Sequence, residues 1–285
     1  MKRPTARLLI WCPDARGIIA TVTGFLAEHG ANVLEADQHS DPDHGAFCMR
    51  AEFETDGLDL DRDAFPAAWG PVADRLNMDW RLAWATDRKR MALLVSRQDH
   101  CLHDLLLRQR CGEIDVDIPF VISNHDDLRR TVTGYGINFH HLPVTAATRA
   151  DQERQLLDLL QRERIDVVVL ARYMQVLSDA VVDRYPARII NIHHGFLPAF
   201  AGAKPYHQAY ARGVKIVGAT AHYVTAELDA GPIIAQQTTG INHRDTVDDL
   251  VRKGRDLERT VLAAAVRLHL DDKVLVHQNK TIVFD

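Results

Sequence analysis

Residues 7–84 show two hydrophobic periods in turn. Alternation at every second position is typical of strands, and recurrence at every third or fourth position is typical of amphipathic helices. A helix is predicted where Ile18, Val22 and Phe25 recur at helical spacing before Gly30, a residue type that often ends helices. The predicted elements are, in order, a strand at 7–12, this helix, strands at 32–39 and 47–54, a helix within 62–76 and a strand at 80–84.

The pattern changes after the charged segment Thr86–Arg90, beyond which strands and helices alternate. The run Asp166–Leu170 reads D-V-V-V-L, as in a strand that is buried on both faces of a parallel sheet. We therefore predict a doubly wound, mostly parallel α/β sheet in a second domain at 90–285, after a first domain at 1–86. Its predicted strands are 91–96, 116–123, 139–142, 166–170, 189–193, 215–225 and 232–239, its helices are 103–110, 153–164 and 246–270, and a hairpin at 273–277 and 281–284 closes the chain.

Composition excludes several classes of function. The chain has 285 residues, of which 46% are hydrophobic and 26% charged, as in ordinary globular proteins with a sizeable core. A formal net charge of -5 without a basic cluster argues against nucleic acid or an anionic membrane as a partner. The four cysteines form neither a C-x-x-C pair nor a compact disulfide framework. No apolar run suits a signal peptide or approaches the ~20 residues that span a bilayer, so we expect a cytoplasmic protein.

Candidate chemistry lies in the predicted strand 189–193, which reads I-I-N-I-H. Side chains along a strand point alternately to opposite faces, so Asn191 and His193 share one face, and His194 is predicted on the other as a packed or hydrogen-bonded core histidine. An amide beside an imidazole suits hydrogen-bond donation and acid-base work. Asp229, in a later loop, is a carboxylate able to orient that imidazole. The alternatives are a chance N-x-H sequence and a purely turn-forming aspartate.

Neither a nucleotide cofactor nor a metal is expected from the sequence. The segment Gly134–Gly136 lacks the third glycine of a dinucleotide-binding loop and precedes a short strand. Ser96–Cys101, which follows the first strand of the second domain, contains no glycine. The adjacent pairs His140-His141 and His193-His194 diverge in a strand, and no second cluster has metal-ligand spacing.

Two segments of the first domain, D-x-x-G-I-I at 14–19 and H-G-A-N-V at 29–33, resemble ACT domains. The predicted order β-α-β-β-α-β agrees, since it describes a ferredoxin-like unit. The resemblance implies a small amino acid as effector, with glycine or methionine as candidates, and a homo-oligomer that pairs through its sheets. Asp14, Gly17 and Asn32 are the candidate effector-binding residues, because a carboxylate and helix N-terminal amides together suit a zwitterion. The alternative is that Asp14 only caps the helix.

Four blocks of the second domain occur in a fixed order. They are L-A-R-Y-M-Q-V-L-S at 170–178, N-I-H-H-G-F-L-P at 191–198, G-A-T-A-H-Y-V-T at 218–225 and E-L-D-A-G-P-I-I at 227–234. Together they resemble the formyltetrahydrofolate-dependent formyltransferase superfamily, which implies that Asn191, His193 and Asp229 are catalytic. The resemblance also implies a pterin-binding surface with His222 in the site wall. That surface comprises Tyr173, Met174, Gln175, Val176, Leu177, Thr225, Glu227 and Leu228.

Features outside these blocks indicate the formyl acceptor. Glycinamide ribonucleotide transformylases have a glycine-rich phosphate loop after the first strand, whereas here Ser96 is followed by R-Q-D-H-C. The ACT-like domain, H-C-L at 100–102 and G-A-K-P-Y-H-Q-A at 202–209 resemble the formyltetrahydrofolate deformylase family, although Gly195 stands where serine is frequent in the superfamily. The acceptor cavity would involve Asp99, His100, Cys101 and Lys204.

This resemblance implies hydrolysis of 10-formyltetrahydrofolate to tetrahydrofolate and formate, with folate as the substrate and no further cofactor. Two alternatives remain open. One is formyl transfer to an amine such as glycinamide ribonucleotide, and the other is a catalytically silent folate or amino-acid sensor. The presence of all three polar site residues argues against silence.

Overall fold

The computed structural model describes residues 4–199 and 205–285, which fall into two compact units. The first unit comprises the chain up to Arg88 together with Asp271–His277 and Ile282–Asp285. The second comprises Lys89–Leu270 and Gln278–Thr281. The C-terminal residues thus contribute to both units, a feature that linear hydrophobic patterns do not encode. The division at 1–86 and 90–285 stays a prediction.

The first unit is an antiparallel sheet of four strands with two helices. Its elements are β1 (Thr5–Pro13), α1 (Ile18–Glu28), β2 (Asn32–Asp41), β3 (Ala46–Glu54), α2 (Ala64–Arg75) and β4 (Asp79–Trp84). The strand order is β2-β3-β1-β4, and the predicted β-α-β-β-α-β unit is confirmed. Pro66 lies in the first turn of α2, where no backbone donor is needed, but Pro71 lies inside the helix and removes one hydrogen bond.

Aromatic side chains form much of the core of this unit. Trp69 and Phe65, both fully buried, extend from α2 toward the sheet side chain Phe53 and toward Phe25 of α1. The ring centroids of Phe25 and Trp69 are 5.0 Å apart, and those of Phe53 and Phe65 are 6.0 Å apart. Such offset and edge contacts add to the burial free energy of the rings.

Trp69→Ala tests this core. Removing a fully buried indole leaves a cavity, so we expect the free energy of unfolding of the first unit to fall by about 3–5 kcal/mol. Urea unfolding followed by circular dichroism measures the change. Ile19→Ala, at a position on α1 that is 43% exposed, is the control and should change stability by under about 1 kcal/mol. Equal losses in both variants would contradict the assigned core.

The second unit alternates strands and helices around a seven-stranded sheet. Its strands are β5 (Met91–Val95), β6 (Phe120–Ser123), β7 (Asn138–His141), β8 (Val167–Leu170), β9 (Ile189–His193), β10 (Ile216–Tyr223) and β11 (Ile233–Gly240). Its helices are α3 (His100–Arg110), α4 (Arg129–Gly134), α5 (Arg149–Arg162), α6 (Asp179–Val182), α7 (Pro205–Arg212) and α8 (Val247–Leu270). The closing strands β12 (Val274–His277) and β13 (Lys280–Val283) pair with each other, as predicted. Within the described ranges, no helix is both long and apolar enough to cross a membrane.

The strand order β11-β10-β9-β8-β5-β6-β7 confirms the doubly wound, mostly parallel sheet. Strands β5 to β9 pair in parallel, while β10 pairs antiparallel with both β9 and β11. From β5 the sheet continues to β6 and β7 on one side, and the later strands β8 and β9 are added on the other side of β5. The carboxyl ends of β5 and β8 therefore flank a crevice, which is where open α/β sheets bind ligands.

The main differences from the predicted elements have local causes. The strand predicted at 116–123 begins at Phe120, because Pro119 has no amide to donate, and Asp117 only forms an isolated bridge with Arg90. Helix α3 begins at His100, three residues before the apolar periodicity makes it visible. The short helices α4 and α7 were not predicted, since one or two turns give no periodic signal.

Gly231, just before β11, lies against the end of β10. A β-carbon at this position would be 1.8 Å from the carbonyl oxygen of Tyr223, whereas one at Gly240 would meet nothing within 4 Å. Gly231→Ala must therefore shift the backbone between β10 and β11, and we expect stability to fall by about 1–3 kcal/mol. Gly240→Ala is the matched control and should be nearly neutral. Thermal unfolding measures both, and a neutral Gly231→Ala would contradict the close approach.

Candidate active site

Three polar side chains meet at the end of β9. Asn191 and His193 extend from this strand, and Asp229 lies in the loop between β10 and β11. Because β9 pairs with β8 on one edge and β10 on the other, its backbone is fixed from both sides. Asn191 is half-buried and the His193 side chain is 4% exposed. The strand therefore presents both groups from a rigid element.

The Asp229 carboxylate lies against His193. Its Oδ2 is 3.2 Å from Nδ1 of His193, and its Oδ1 is 3.8 Å from Nε2 of His222. Asp229 has a φ of 56°, in the left-handed region, so it does form part of a turn. The turn is the means by which the carboxylate reaches the imidazole, and the two interpretations of Asp229 are compatible.

The second ring nitrogen of His193 is closely packed. Nε2 is buried and has no hydrogen-bond partner among the described residues. A β-carbon on Gly195 would lie 3.0 Å from this nitrogen and 3.2 Å from Cδ2 of the same ring. Glycine at position 195 therefore gives the His193 ring room, and a serine side chain there would require the ring to shift.

His222 orients the Asn191 amide. The antiparallel register places these residues opposite each other, with Nδ2 of Asn191 3.2 Å from Nε2 of His222. Nδ1 of His222 lies 2.9 Å from the carbonyl oxygen of Tyr223, so Nδ1 carries the proton and Nε2 accepts from the amide. Burial lowers the pKa of His222 and favours this neutral form. One Nδ2 hydrogen of Asn191 is thereby used, and the other remains available to a ligand.

A cavity of about 590 Å³ opens over these groups. All of the sequence-predicted catalytic and pterin-binding residues line it: Asn191, His193, Asp229, Tyr173, Met174, Gln175, Val176, Leu177, His222, Thr225, Glu227 and Leu228. Met174, Val176 and Leu228 are 57%, 53% and 61% exposed, which is unusual for large apolar side chains. Exposed apolar groups beside buried polar ones suit a flat, partly polar ring system.

The first wall segment, 173–177, is held by buried hydrogen bonds. The backbone amide of Met174 donates to Oγ of Ser96 at 2.9 Å, and this hydroxyl donates to Oδ1 of Asn124 at 2.6 Å. Ser96 and Asn124 follow β5 and β6, so the carboxyl ends of neighbouring strands fix the wall. Tyr173 is buried and accepts at its hydroxyl from Gln152, and burial raises its pKa to about 12.

The residues predicted to form the acceptor cavity are not found together in the lining of the cavity described above. The described cavity lining includes Gln98 but not Asp99, His100 or Cys101. The Asp99 side chain is 54% exposed and lies 3.5 Å from His103. His100 and Cys101 lie behind the lining, and burial raises the pKa of the Cys101 thiol well above its ordinary value. Lys204 lies outside the described residues.

His194 corrects one prediction, because it lines the cavity instead of packing in the core. Strand β9 ends at His193, so alternation no longer determines where the next side chain points. Burial lowers the pKa of His194 to about 4 and keeps the imidazole neutral near pH 7.

Sequence reasoning missed further lining residues, which are Gln98, Arg172, Tyr206, His207, Val251, Arg255 and Glu258. The sequence could have indicated Glu258. It is a carboxylate on the face of α8 that also buries Val261 and Leu262, where a charge requires a partner. The sequence pattern did not indicate Arg172, since its role depends on a tertiary contact with α8.

The candidate effector residues Asp14, Gly17 and Asn32 lie in the first unit. Gly17 has a φ of 88° and precedes α1, and no side chain caps that helix. The alternative in which Asp14 caps α1 is therefore not realised, and the backbone amide of Asp14 donates to the Gly45 carbonyl at 2.8 Å. Asn32 donates from Nδ2 to Glu54 at 3.1 Å.

The chain is similar to known proteins along its whole length. A family model described as "Formyl transferase" matches residues 89–266, and one described as "ACT domain" matches residues 6–62. A glycinamide ribonucleotide transformylase structure from Symbiobacterium toebii is 31% identical with a TM-score of 0.65, covering 72% of this chain and 98% of that one.

The formyltetrahydrofolate deformylase of Synechocystis sp. is 51% identical over 100% of both chains. A formyltetrahydrofolate deformylase structure from Pseudomonas syringae pv. tomato is 50% identical with a TM-score of 0.98, covering 100% of this chain and 96% of that one. Full-length similarity at this identity, over both the ACT and the formyltransferase parts, shows that the chain belongs to the formyltetrahydrofolate deformylase family.

Proposed function

We propose that this protein hydrolyses 10-formyltetrahydrofolate to tetrahydrofolate and formate. The observation that carries the proposal is the meeting of Asn191, His193 and Asp229 in one cavity of a protein from this family. The walls 173–177 and 224–229 would hold the pterin, with exposed apolar side chains against its ring faces. The reaction uses water as the acceptor of the formyl group.

The reaction balances with one water and no oxidant or reductant. The water oxygen bonds to the formyl carbon, and the carbonyl electron pair moves onto its oxygen as the water loses a proton. Collapse of this tetrahedral intermediate breaks the bond to N10, which takes up a proton. Formate leaves as the anion, and its remaining acidic proton passes to solvent.

Asn191 is assigned to the developing oxyanion. His222 accepts one hydrogen of its Nδ2, so the amide is already oriented before substrate binds and offers its second hydrogen to the formyl oxygen. Loss of one such donor typically costs about 10²–10³ in rate. Asn191 thus acts on the transition state, and His222 positions it.

His193 and Asp229 are assigned to the proton transfers. The Asp229 carboxylate lies 3.2 Å from Nδ1 and orients the imidazole, which in this proposal stabilises the oxyanion and delivers a proton to N10. The other Asp229 oxygen, 3.8 Å from His222, is placed to accept a hydrogen bond from the attacking water. In this proposal His193 and Asp229 serve the steps at the formyl carbon and at N10, and the acidic proton of formate passes to solvent.

Formyl transfer to an amine is the second candidate, supported by the similarity to the glycinamide ribonucleotide transformylase. The segment that follows β5 reads S-R-Q-D-H-C and has no glycine-rich phosphate loop. Water is therefore the better-supported acceptor. A catalytically silent sensor would bind the folate without turnover, and the same assay distinguishes it.

Formate release from 10-formyltetrahydrofolate tests the catalytic assignment. The wild-type protein should release formate without an added amine. Asn191→Ala should lower kcat by about 10²–10³ through loss of the oxyanion donor, and His193→Ala by about 10²–10⁴ through loss of acid-base transfer. Asp229→Ala should also lower kcat, because the imidazole loses the group that orients it.

His243→Ala is the matched control for His193→Ala, since His243 is exposed in the loop before α8. It should retain full activity, and thermal unfolding of each variant should show that all remain folded. Formate release that required glycinamide ribonucleotide would replace hydrolysis by transfer. Unchanged kcat in His193→Ala would overturn the assigned site.

We further propose that residues 1–86 form a regulatory domain for the catalytic domain at 90–285, with glycine or methionine as effector. The support is the ACT family match together with the uncapped N-terminus of α1 after Gly17, whose amides suit a carboxylate. Asp14 would face the ammonium group, and Asn32 would supply an amide. The homo-oligomeric state and the cytoplasmic location expected from the sequence stay predictions.

Titration calorimetry with glycine and with methionine tests the effector proposal. One of the two should bind the wild-type protein, and Asp14→Ala should weaken that binding by about tenfold through loss of the charge opposite the ammonium group. Asp43→Ala, which removes another exposed carboxylate of the same unit, is the control. No heat with either amino acid would remove both candidates.

A further inference from the structure

We propose that Glu258 is a specificity-determining residue of this site. By holding Arg172 in a buried ion pair, Glu258 keeps phosphate-bearing amine acceptors out of the side of the cavity next to His194. This inference rests on the proposed function, in which water is the formyl acceptor.

Glu258 is the centre of a buried network. Its side chain is 2% exposed, and its Oε2 accepts from Nε2 of His100 at 2.8 Å. The hydroxyl of Tyr206 donates to Oε1 at 2.9 Å, and Nε of Arg172 lies 3.4 Å from Oε2. Although burial acts in the opposite direction, the contacts with His100 and Arg172 hold the pKa of Glu258 below its ordinary value. The carboxylate therefore stays charged near pH 7 and occupied on both oxygens.

The packing of α8 is adapted to this network. A β-carbon on Gly254, one turn before Glu258, would lie 2.1 Å from the hydroxyl oxygen and Cζ of Tyr206. Only glycine allows the tyrosine ring to lie on the helix and reach the carboxylate. A network that needs a specific glycine on a neighbouring turn is built into the fold, in contrast to a chance contact of surface side chains.

The network adjoins the catalytic histidine. The rings of His193 and His194 are 5.3 Å apart, and those of His194 and Tyr206 are 6.1 Å apart. Arg172, Tyr206 and Glu258 line the same cavity as the catalytic residues. An amine that attacked the formyl carbon from this side would have to lie against these groups.

Arg172 is the cation that a phosphate would need there. It is 7% exposed and lies in the loop after β8 with a φ of 64°. Nε of its guanidinium donates to Gln98 at 2.8 Å and also faces Glu258. With Glu258 in place, a phosphate at this guanidinium meets a buried carboxylate as well, and the repulsion offsets the attraction. Arg255, the other arginine in the described lining, is exposed and screened by solvent.

A metal site is the competing interpretation of the same residues. Ligand atoms of His100, Cys101 and Glu258 lie within 4.8 Å of one another. However, His100 bonds directly to the carboxylate at 2.8 Å, and the raised pKa of Cys101 keeps its thiol protonated. The Arg172 guanidinium next to the carboxylate further disfavours a second cation. These contacts favour a hydrogen-bonded network.

Phosphate binding to variants of the full chain tests the inference, with inorganic phosphate as the probe in titration calorimetry. Glu258→Gln removes the charge but retains a side chain that can bond to Tyr206 and His100. It should bind phosphate at least about tenfold more tightly than wild type, because the Arg172 charge is released. The double variant Glu258→Gln with Arg172→Gln should lose this gain.

Tyr206→Phe is the matched control. It removes one hydrogen bond to the carboxylate but keeps the ion pair, so its phosphate affinity should equal that of wild type. If thermal unfolding shows that Glu258→Gln does not fold, Glu258→Asp replaces it. The shorter side chain draws the carboxylate away from Arg172, so phosphate affinity should rise, but by less than in Glu258→Gln. Equal phosphate affinity in wild type and the folded Glu258 variant would overturn the inference.

The formate assay separates this result from the proposed function. If wild type releases formate but phosphate affinity does not change in Glu258→Gln, only the specificity role fails. If wild type releases no formate while Glu258→Gln gains phosphate affinity, hydrolysis fails and the role of Glu258 in excluding anions stands. Zinc binding by wild type that Cys101→Ser abolishes would instead establish the metal interpretation and overturn the network.

Discussion

The contact between Asp229 and His193 is the interaction on which the site depends. It joins strand β9 to the loop between β10 and β11, and the end of that loop lies close to β10 where Gly231 packs against the Tyr223 carbonyl. The same close approach fixes the end of β10, where His222 lies. The close approach at Gly231 therefore lies between the loop that carries Asp229 and the strand that carries His222.

The register of β9 and β10 supplies the second constraint. Asn191 faces His222 across the pair, and His193 faces Thr220, which is fully buried and donates to the Gly195 carbonyl at 2.9 Å. Shifting the register by one residue would turn these side chains to opposite faces. Since both edges of β9 are paired, the sheet fixes the backbone that carries Asn191 and His193.

Much of this arrangement follows from the sequence, and the reason is local. Period-two alternation placed Asn191 and His193 on one face, and the apolar run 166–170 indicated a buried parallel strand. The part that could not be predicted depends on which helices and loops pack against each other in the folded chain. Arg172 and Glu258 are 86 positions apart, and only the packing of α8 beside the loop after β8 brings them together. His194 was misplaced because alternation ends where the strand ends.

The two proposals assign two kinds of control to this site. In the proposed mechanism Asn191, His193 and Asp229 act on the reacting atoms, whereas the network around Glu258 is proposed to limit which acceptors approach them. The transformylase similarity shows that this fold serves an amine acceptor in another protein, so catalytic groups alone do not define the acceptor. In this chain, the side of the cavity from which an acceptor would approach is lined by buried side chains that form hydrogen bonds and an ion pair with one another.

Hydrolysis in water enriched in heavy oxygen tests the central claim most directly. If water attacks the formyl carbon, mass spectrometry should find solvent oxygen in the formate that wild type releases from 10-formyltetrahydrofolate without any amine present. The absence of formate under these conditions, with the formyl group recovered on an amine once one is added, would contradict the account.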